Sequence, residues 1–177
     1  MSLLKVARLG HPVLRAATRP VPMDQIASAD VQKLVDDMIA TMWEYNGVGL
    51  AANQVHEAMR LAVLEVADNP RYPDKPSVPL SVLFNPEIEP LAEEMEEDWE
   101  GCLSVPDFRG KVPRYKNIRV RALDRRGANL DFVASGFHAR VIQHEWDHLN
   151  GKVYLDRMRN LSTLTHLQEF ARYWAEK

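Results

Sequence analysis

The sequence predicts an α+β fold: strands packed around a central helix, with further helices towards the N- and C-termini. Three observations predict it. Apolar residues recur at helical spacing in two separated stretches, Val31–Met42 and Phe137–His148. Between them, Arg60–Val66 alternates as a half-buried strand does. Asp124-Arg125-Arg126-Gly127 then joins two short apolar runs, which is a hairpin signal. A chain of 177 residues with 46% hydrophobic side chains suits one domain, residues 1–177, with a core of its own.

The first stretch reads as irregular, because His11-Pro12, Pro20 and Pro22 interrupt it. From about Asp30, Val31, Leu34, Val35, Met38 and Met42 form one helical face, and Asn46-Gly47 ends it. The strand at Arg60–Val66 follows. Pro70, Pro73, Pro76 and Pro79 mark a surface loop. Leu80–Phe84 and Glu87–Leu91 read as two further strands. Glu93–Glu100, with six acidic residues, reads as a solvated edge. Pro106 is expected to end the segment after Cys102. Asn117–Leu123 and Asn129–Ala134 flank the hairpin turn. A second helix is expected over about Gly136–Leu149, with Ser135 as N-cap and Gly151 as its stop. A third runs from Leu161 to the end, with Leu161, Leu164, Leu167, Ala171 and Trp174 as its apolar stripe.

Composition narrows the function. A net charge of −3 carries no basic excess, so neither nucleic acid nor an anionic membrane surface is an expected partner. Apolar runs are too short to span a bilayer, and the first residues lack the apolar core of a secretory signal. A cytoplasmic protein is the expectation. The single cysteine, Cys102, fits a reducing compartment, and taken alone it reads as a small core residue.

The second helix holds His144-Glu145-Trp146-Asp147-His148. Histidines at i and i+4 share a helix face, so both imidazoles can reach one metal ion, and Glu145 can reach its water. At this composition the pattern arises by chance roughly 0.015 times per chain. The histidines also continue the apolar stripe of Phe137 and Val141, so their ring nitrogens face inward and need partners. A catalytic site needs a third protein ligand. Tyr154 stands where an extended zinc-protease motif needs histidine. Glu169, on the last helix, is a second option. Cys102 is a third, with Gly101 beside it to allow close backbone approach.

Three segments together resemble the peptide deformylase family: Gly47-Val48-Gly49-Leu50-Ala51-Ala52-Asn53-Gln54, Glu100-Gly101-Cys102-Leu103-Ser104, and Gln143-His144-Glu145-Trp146-Asp147-His148-Leu149. They occur in the family's order, and the resemblance covers roughly residues 3 to 160. It implies Cys102, His144 and His148 as metal ligands and Glu145 as the catalytic acid/base. It implies that Gln54 and the backbone N–H of Leu103 bind the reacting carbonyl oxygen. Gly49 would give a backbone contact to substrate, and Arg109 would lie near the cleft. Asn53 departs from the pattern, which more commonly has proline or threonine there. The resemblance also implies one divalent ion, ferrous iron in cells, with zinc, nickel or cobalt substituting. The substrate would be an N-formylmethionyl peptide, met near the ribosome, and formate the product.

The residues suit that chemistry. A bound divalent ion makes water acidic enough to attack a formamide, and a carboxylate such as Glu145 can move the proton. Val48, Phe137 and Val141 are candidates for a methionine pocket, against ordinary core packing. Rival expectations are a zinc endopeptidase with Glu169 as ligand, a non-catalytic metal module, and a related hydrolase of another N-acylated amine.

Overall fold

The computed structural model describes residues 2–67 and 75–175. After an extended start, Pro12–Arg15 makes one 3-10 turn, and a short helix α1 (Met23–Ile26) leads into α2 (Ala29–Glu44). Ser28 caps α2 by accepting from the Val31 N–H, so the helix begins where the polar residue can satisfy a free donor. Val31, Val35, Met38 and Met42 are buried along one face. Asn46, at φ 51°, turns the chain out of the helix.

Strands β1 (Gly49–Ala51), β2 (Leu61–Val66) and β3 (Val78–Pro90) come next, then β4 (Met95–Cys102), β5 (Val105–Tyr115), β6 (Asn117–Leu123) and β7 (Asn129–Ser135). A five-stranded antiparallel sheet runs in the order β1-β2-β3-β6-β7. The β4–β5 hairpin forms a second sheet, completed by a two-residue strand β8 (Thr165–His166). Helix α3 (Gly136–Leu149) packs against strands of both sheets. Ala139, Val141 and Ile142 bury its apolar face against Leu64, Leu83, Ile118 and Val120. On the other flank α2 packs Met38 and Met42 against Leu61 and Phe84, each fully buried. Such burial contributes roughly 1.5–3 kcal/mol per side chain. Strands β2, β3, β6 and β7 around a buried, histidine-bearing helix fall where the sequence pattern predicts strands, whereas β1, β4, β5 and β8 are not predicted by it.

Five local expectations need correction. Leu80–Phe84 and Glu87–Leu91 are one strand, β3, broken only by an irregularity between Phe84 and Glu87. Asn85 sits there at φ 51°, and its side chain bonds both the N–H and the C=O of Val21. The proline loop is shorter than expected, because Pro79 lies inside β3; Pro70 and Pro73 fall outside the described residues. Pro106 does not end its segment, since β5 runs through both it and Pro113. Glu93–Glu97 is exposed as an acidic edge should be, but Glu100 is buried at 4% exposure.

The last helix is not continuous from Leu161. Asn160 caps a single 3-10 turn at Leu161–Thr163, β8 intervenes, and α4 spans only Leu167–Tyr173 under a His166 cap. β-Branched Thr163 and Thr165 favour that interruption. The expected stripe is not a buried face: Leu161 is 65% exposed and Trp174 55%. At α3, Ser135 does hold the N-cap position, though its side chain makes no capping bond, and Gly151 at φ 71° ends the helix region.

Candidate active site

Cys102 ends β4, where a register shift after Gly101 turns the chain back into β5. His144 and His148 lie one turn apart on α3, with ring centroids 5.0 Å apart. The Cys102 Sγ is 3.2 Å from His148 Nε2, and one ligand atom from each of the three residues lies within 4.8 Å of the others. Tetrahedral bonds of about 2.3 Å to sulfur and about 2.0 Å to nitrogen would put ligand atoms about 3.5 Å apart. The Cys102–His148 pair already has that spacing, and the 4.8 Å span of the trio would have to close by about 1 Å around an ion. Burial alone raises the Cys102 thiol, but the His148 and His144 imidazoles outweigh it and hold the thiol well below its usual range. His144 is raised well above the ordinary imidazole range, because the thiol and Glu100 overcome its burial. A thiol held low beside the His144 imidazole held high marks a site that favours a cation among these donors, and the donor set fits a divalent ion.

A cleft of about 460 Å³, counting its open mouth, leads to this trio. Val48, Gly49, Gln54, Cys102, Leu103, Phe137, Val141, His144 and Glu145 all line it, so the structure brings nearly all the expected site residues together. His148 stands behind Cys102 and is fully buried. Arg109 is the exception. It is not in the lining; it pairs with Gly101 across β4–β5 and lies over the Phe170 ring at 4.8 Å, on the C-terminal side. Val48, Phe137 and Val141 serve both readings, since they line the cleft and also pack on the apolar cluster under α3.

Glu145 is 4% exposed, and its Oε2 is buried without a hydrogen-bond partner. Burial pushes its carboxyl up to about 7, against the opposing pull of His144 and His148. Gly49 makes room for it: a Cβ there would stand 2.2 Å from Glu145 Oε1. Gln54 Oε1 accepts the Ala51 N–H at 2.8 Å, which fixes its Nε2 towards Ser104 Oγ at 3.1 Å and Cys102 Sγ at 3.6 Å. The Leu103 carbonyl is held by Arg8 at 2.7 Å, so the turn that carries the Leu103 N–H is tethered.

Several supporting residues were not expected. Glu100 accepts from His144 Nδ1 at 2.9 Å, from Arg114 twice, at 2.9 and 3.0 Å, and from Arg140 at 2.9 Å. Burial raises this carboxyl, yet Arg114 and the His144 bond hold it well below the carboxylate range. Arg114 also bonds Asp147 at 2.5 Å, and Arg157 bonds Asp147 at 2.6 Å. Trp99 forms one wall of the cleft, backed by Phe170 at 5.0 Å and Trp174 at 5.7 Å. Glu169, the alternative ligand, is exposed and paired with Arg172, away from the trio.

A profile of the polypeptide deformylase family matches residues 3–163. The chain belongs to the polypeptide deformylase family. Peptide deformylase 1 of Nitrosomonas europaea is 48% identical over 156 residues, covering 88% of each chain. Peptide deformylase 1 of Bordetella pertussis is 47% identical, covering 89% of this chain and 88% of that one. Among solved structures, a class I type b peptide deformylase from Acinetobacter baumannii with Met-Ala-Ser bound superposes with a TM-score of 0.86. It is 43% identical, covering 89% of this chain and all of that one. The deformylase is accordingly a metal-dependent hydrolase of protein biosynthesis. It removes the N-formyl group from the N-terminal formylmethionine of nascent polypeptides and requires a divalent ion. Among the described residues, no helix is long and apolar enough to cross a membrane.

Proposed function

We propose that Cys102, His144 and His148 hold the divalent ion of this deformylase, and that Glu145 moves the proton in amide cleavage. The convergence of those three ligand atoms beside a buried carboxyl in the cleft carries the reading. Such an ion, when bound, polarises the formyl carbonyl and makes water acidic near neutral pH. Glu145 takes the proton released as water adds to the formyl carbon. It then delivers that proton to the methionine nitrogen as the C–N bond breaks, leaving formate and a free amine. The Gln54 Nε2 and the Leu103 N–H donate to the carbonyl oxygen as charge builds on it, each such donor worth about 2.7–4 kcal/mol. Val48, Phe137 and Val141 receive the methionine side chain, and the Gly49 backbone lies alongside the peptide. Arg109, outside the cleft lining, has no part in this proposal.

Ferrous iron is the proposed ion in cells, and zinc, nickel or cobalt suit the same thiolate–imidazole set. Formylmethionyl peptides are the proposed substrates, and the peptide bound in the Acinetobacter structure begins with methionine. The proposed setting is the cytoplasm, beside the ribosome, with residues 1–177 acting as one catalytic domain. The test is formate release from formyl-Met-Ala-Ser against acetyl-Met-Ala-Ser, with metal counted per chain. Rapid cleavage of the formyl peptide alone supports the reading. Cleavage of internal peptide bonds would favour the endopeptidase.

A further inference from the structure

The two imidazoles of the trio are supported unequally. His144 gives its Nδ1 to Glu100, a carboxylate fixed in turn by Arg114 and Arg140. His148 is fully buried, its Nε2 faces Cys102 Sγ at 3.2 Å, and its Nδ1 has no hydrogen-bond partner. An imidazole that offers the Nε2 lone pair to an ion carries its proton on Nδ1. A buried N–H is thereby left to satisfy, and metal-binding histidines ordinarily give that N–H to a carboxylate, a carbonyl or water.

Asn53 brings the matching acceptor. It sits at 1% exposure in the 3-10 turn Ala52–Val55, and its Nδ2 donates to the His148 backbone carbonyl at 2.6 Å. A carbonyl only accepts, so the arm that faces it must be the amide nitrogen. The other arm, Oδ1, is buried and has no partner. One unpaired donor and one unpaired acceptor thus belong to two residues already joined by a hydrogen bond. We propose that Asn53 is the positioning residue for His148. Its Nδ2 clamps the last turn of α3, and its Oδ1 accepts the hydrogen bond of the Nδ1–H, through a small rotation or one buried water. It touches no substrate; it keeps Nε2 as the free lone pair aimed beside Cys102. The inference rests on the proposed ligand set.

The experiment compares wild type, Asn53→Leu, Asn53→Thr and Cys102→Ser. It reads zinc affinity by competition with a chelator, the melting temperature of each metal-free protein, and the ¹⁵N signals of the His148 ring. Leucine keeps the volume without a polar group, so zinc affinity should fall 10–100-fold. The Nδ1–H of His148 should lose its hydrogen-bonded shift. Threonine can donate to the carbonyl and accept from Nδ1 with one hydroxyl, so it should restore most of the affinity. A lower melting temperature in Asn53→Leu with unchanged zinc affinity would overturn the proposal, leaving Asn53 a backbone clamp only. If Asn53→Leu does not fold, wild type decides. A zinc-loaded His148 ring whose Nδ1–H is free and fast-exchanging, or whose Nδ1 holds the metal, overturns it. Cys102→Ser isolates the underlying reading: full zinc binding there would sink the ligand set itself, and the role of Asn53 with it.

Discussion

Replacing Gly49 with alanine should disable the deformylase without unfolding it or emptying its metal site. A Cβ at Gly49 would lie 2.2 Å from Glu145 Oε1, 2.7 Å from Cδ and 2.9 Å from Cγ, where ordinary contact is 3.4–4 Å. The carboxyl must therefore retreat by about 1 Å, the difference between those contacts. It can do so, because it is the end of a flexible side chain and Oε2 holds no hydrogen bond that would be lost. The cost then falls on geometry more than on stability. A displacement of about 1 Å at a reacting group costs about 100-fold in rate, or about 2.7 kcal/mol of barrier. The three atoms nearest the new Cβ all belong to Glu145, so metal per chain should be unchanged. The assay is kcat/KM for formate release from formyl-Met-Ala-Ser, beside metal content and the melting temperature. Activity within twofold of wild type at full metal occupancy would refute the placement of Glu145 as proton carrier.

Glu145→Gln should keep the metal and lose at least 100-fold in turnover; near-normal turnover with full occupancy would remove Glu145 from the mechanism. In the metal-free protein, burial raises the Glu145 carboxyl from 4.5 to about 7. A raised folded pKa means stability present at low pH and lost as pH climbs from about 4.5 to about 7, on the order of 3 kcal/mol. Chelated Glu145→Gln should lack that loss, and parallel pH–stability curves for the two proteins would contradict the burial argument. Cys102→Ser should strip the metal whereas Glu169→Ala should not, as metal per chain after gel filtration will show; the reverse pattern would restore the endopeptidase. Glu100→Gln should weaken metal binding about 10–100-fold by loosening His144, and unchanged affinity would make Glu100 purely structural.

How much could be read beforehand follows from what each residue does. The proposed ligands were legible as candidates because chemistry fixes their type and spacing: histidines one helical turn apart, a carboxylate between them, and a lone thiol beside a glycine. The α2 and α3 faces and the β6–β7 hairpin were legible because one buried side imposes a period. The supports were not. Glu100 closes an acidic run whose other members are solvated, and nothing local says that Arg114, 14 residues away, and Arg140, 40 away, neutralise it. Arg109, which the resemblance places near the cleft, lies outside the cleft lining and over the Phe170 ring. The C-terminal stripe failed because periodicity cannot see a capping Asn160 or a strand partner at Phe108 and Arg109.

Those unread supports also hold a strand and a helix in the register that the proposed shared ion needs. Cys102 and Glu100 belong to β4, and His144 and His148 belong to α3. Apolar packing alone would let a strand and a helix slide by fractions of an ångström, and a coordination sphere tolerates little of that. Arg114 prevents it. It grips Glu100 with two nitrogens and Asp147 with a third, so one guanidinium pins the strand beside Cys102 to the helix beside His148. Gln143 adds a second tie, bonding both the N–H and the C=O of Tyr115 at 3.0 and 2.9 Å. The burial of these charges is no stability bonus in itself, since removing them from water offsets much of their attraction. What it provides is register: the same carboxylate that locks the hairpin to the helix also orients the ring of His144.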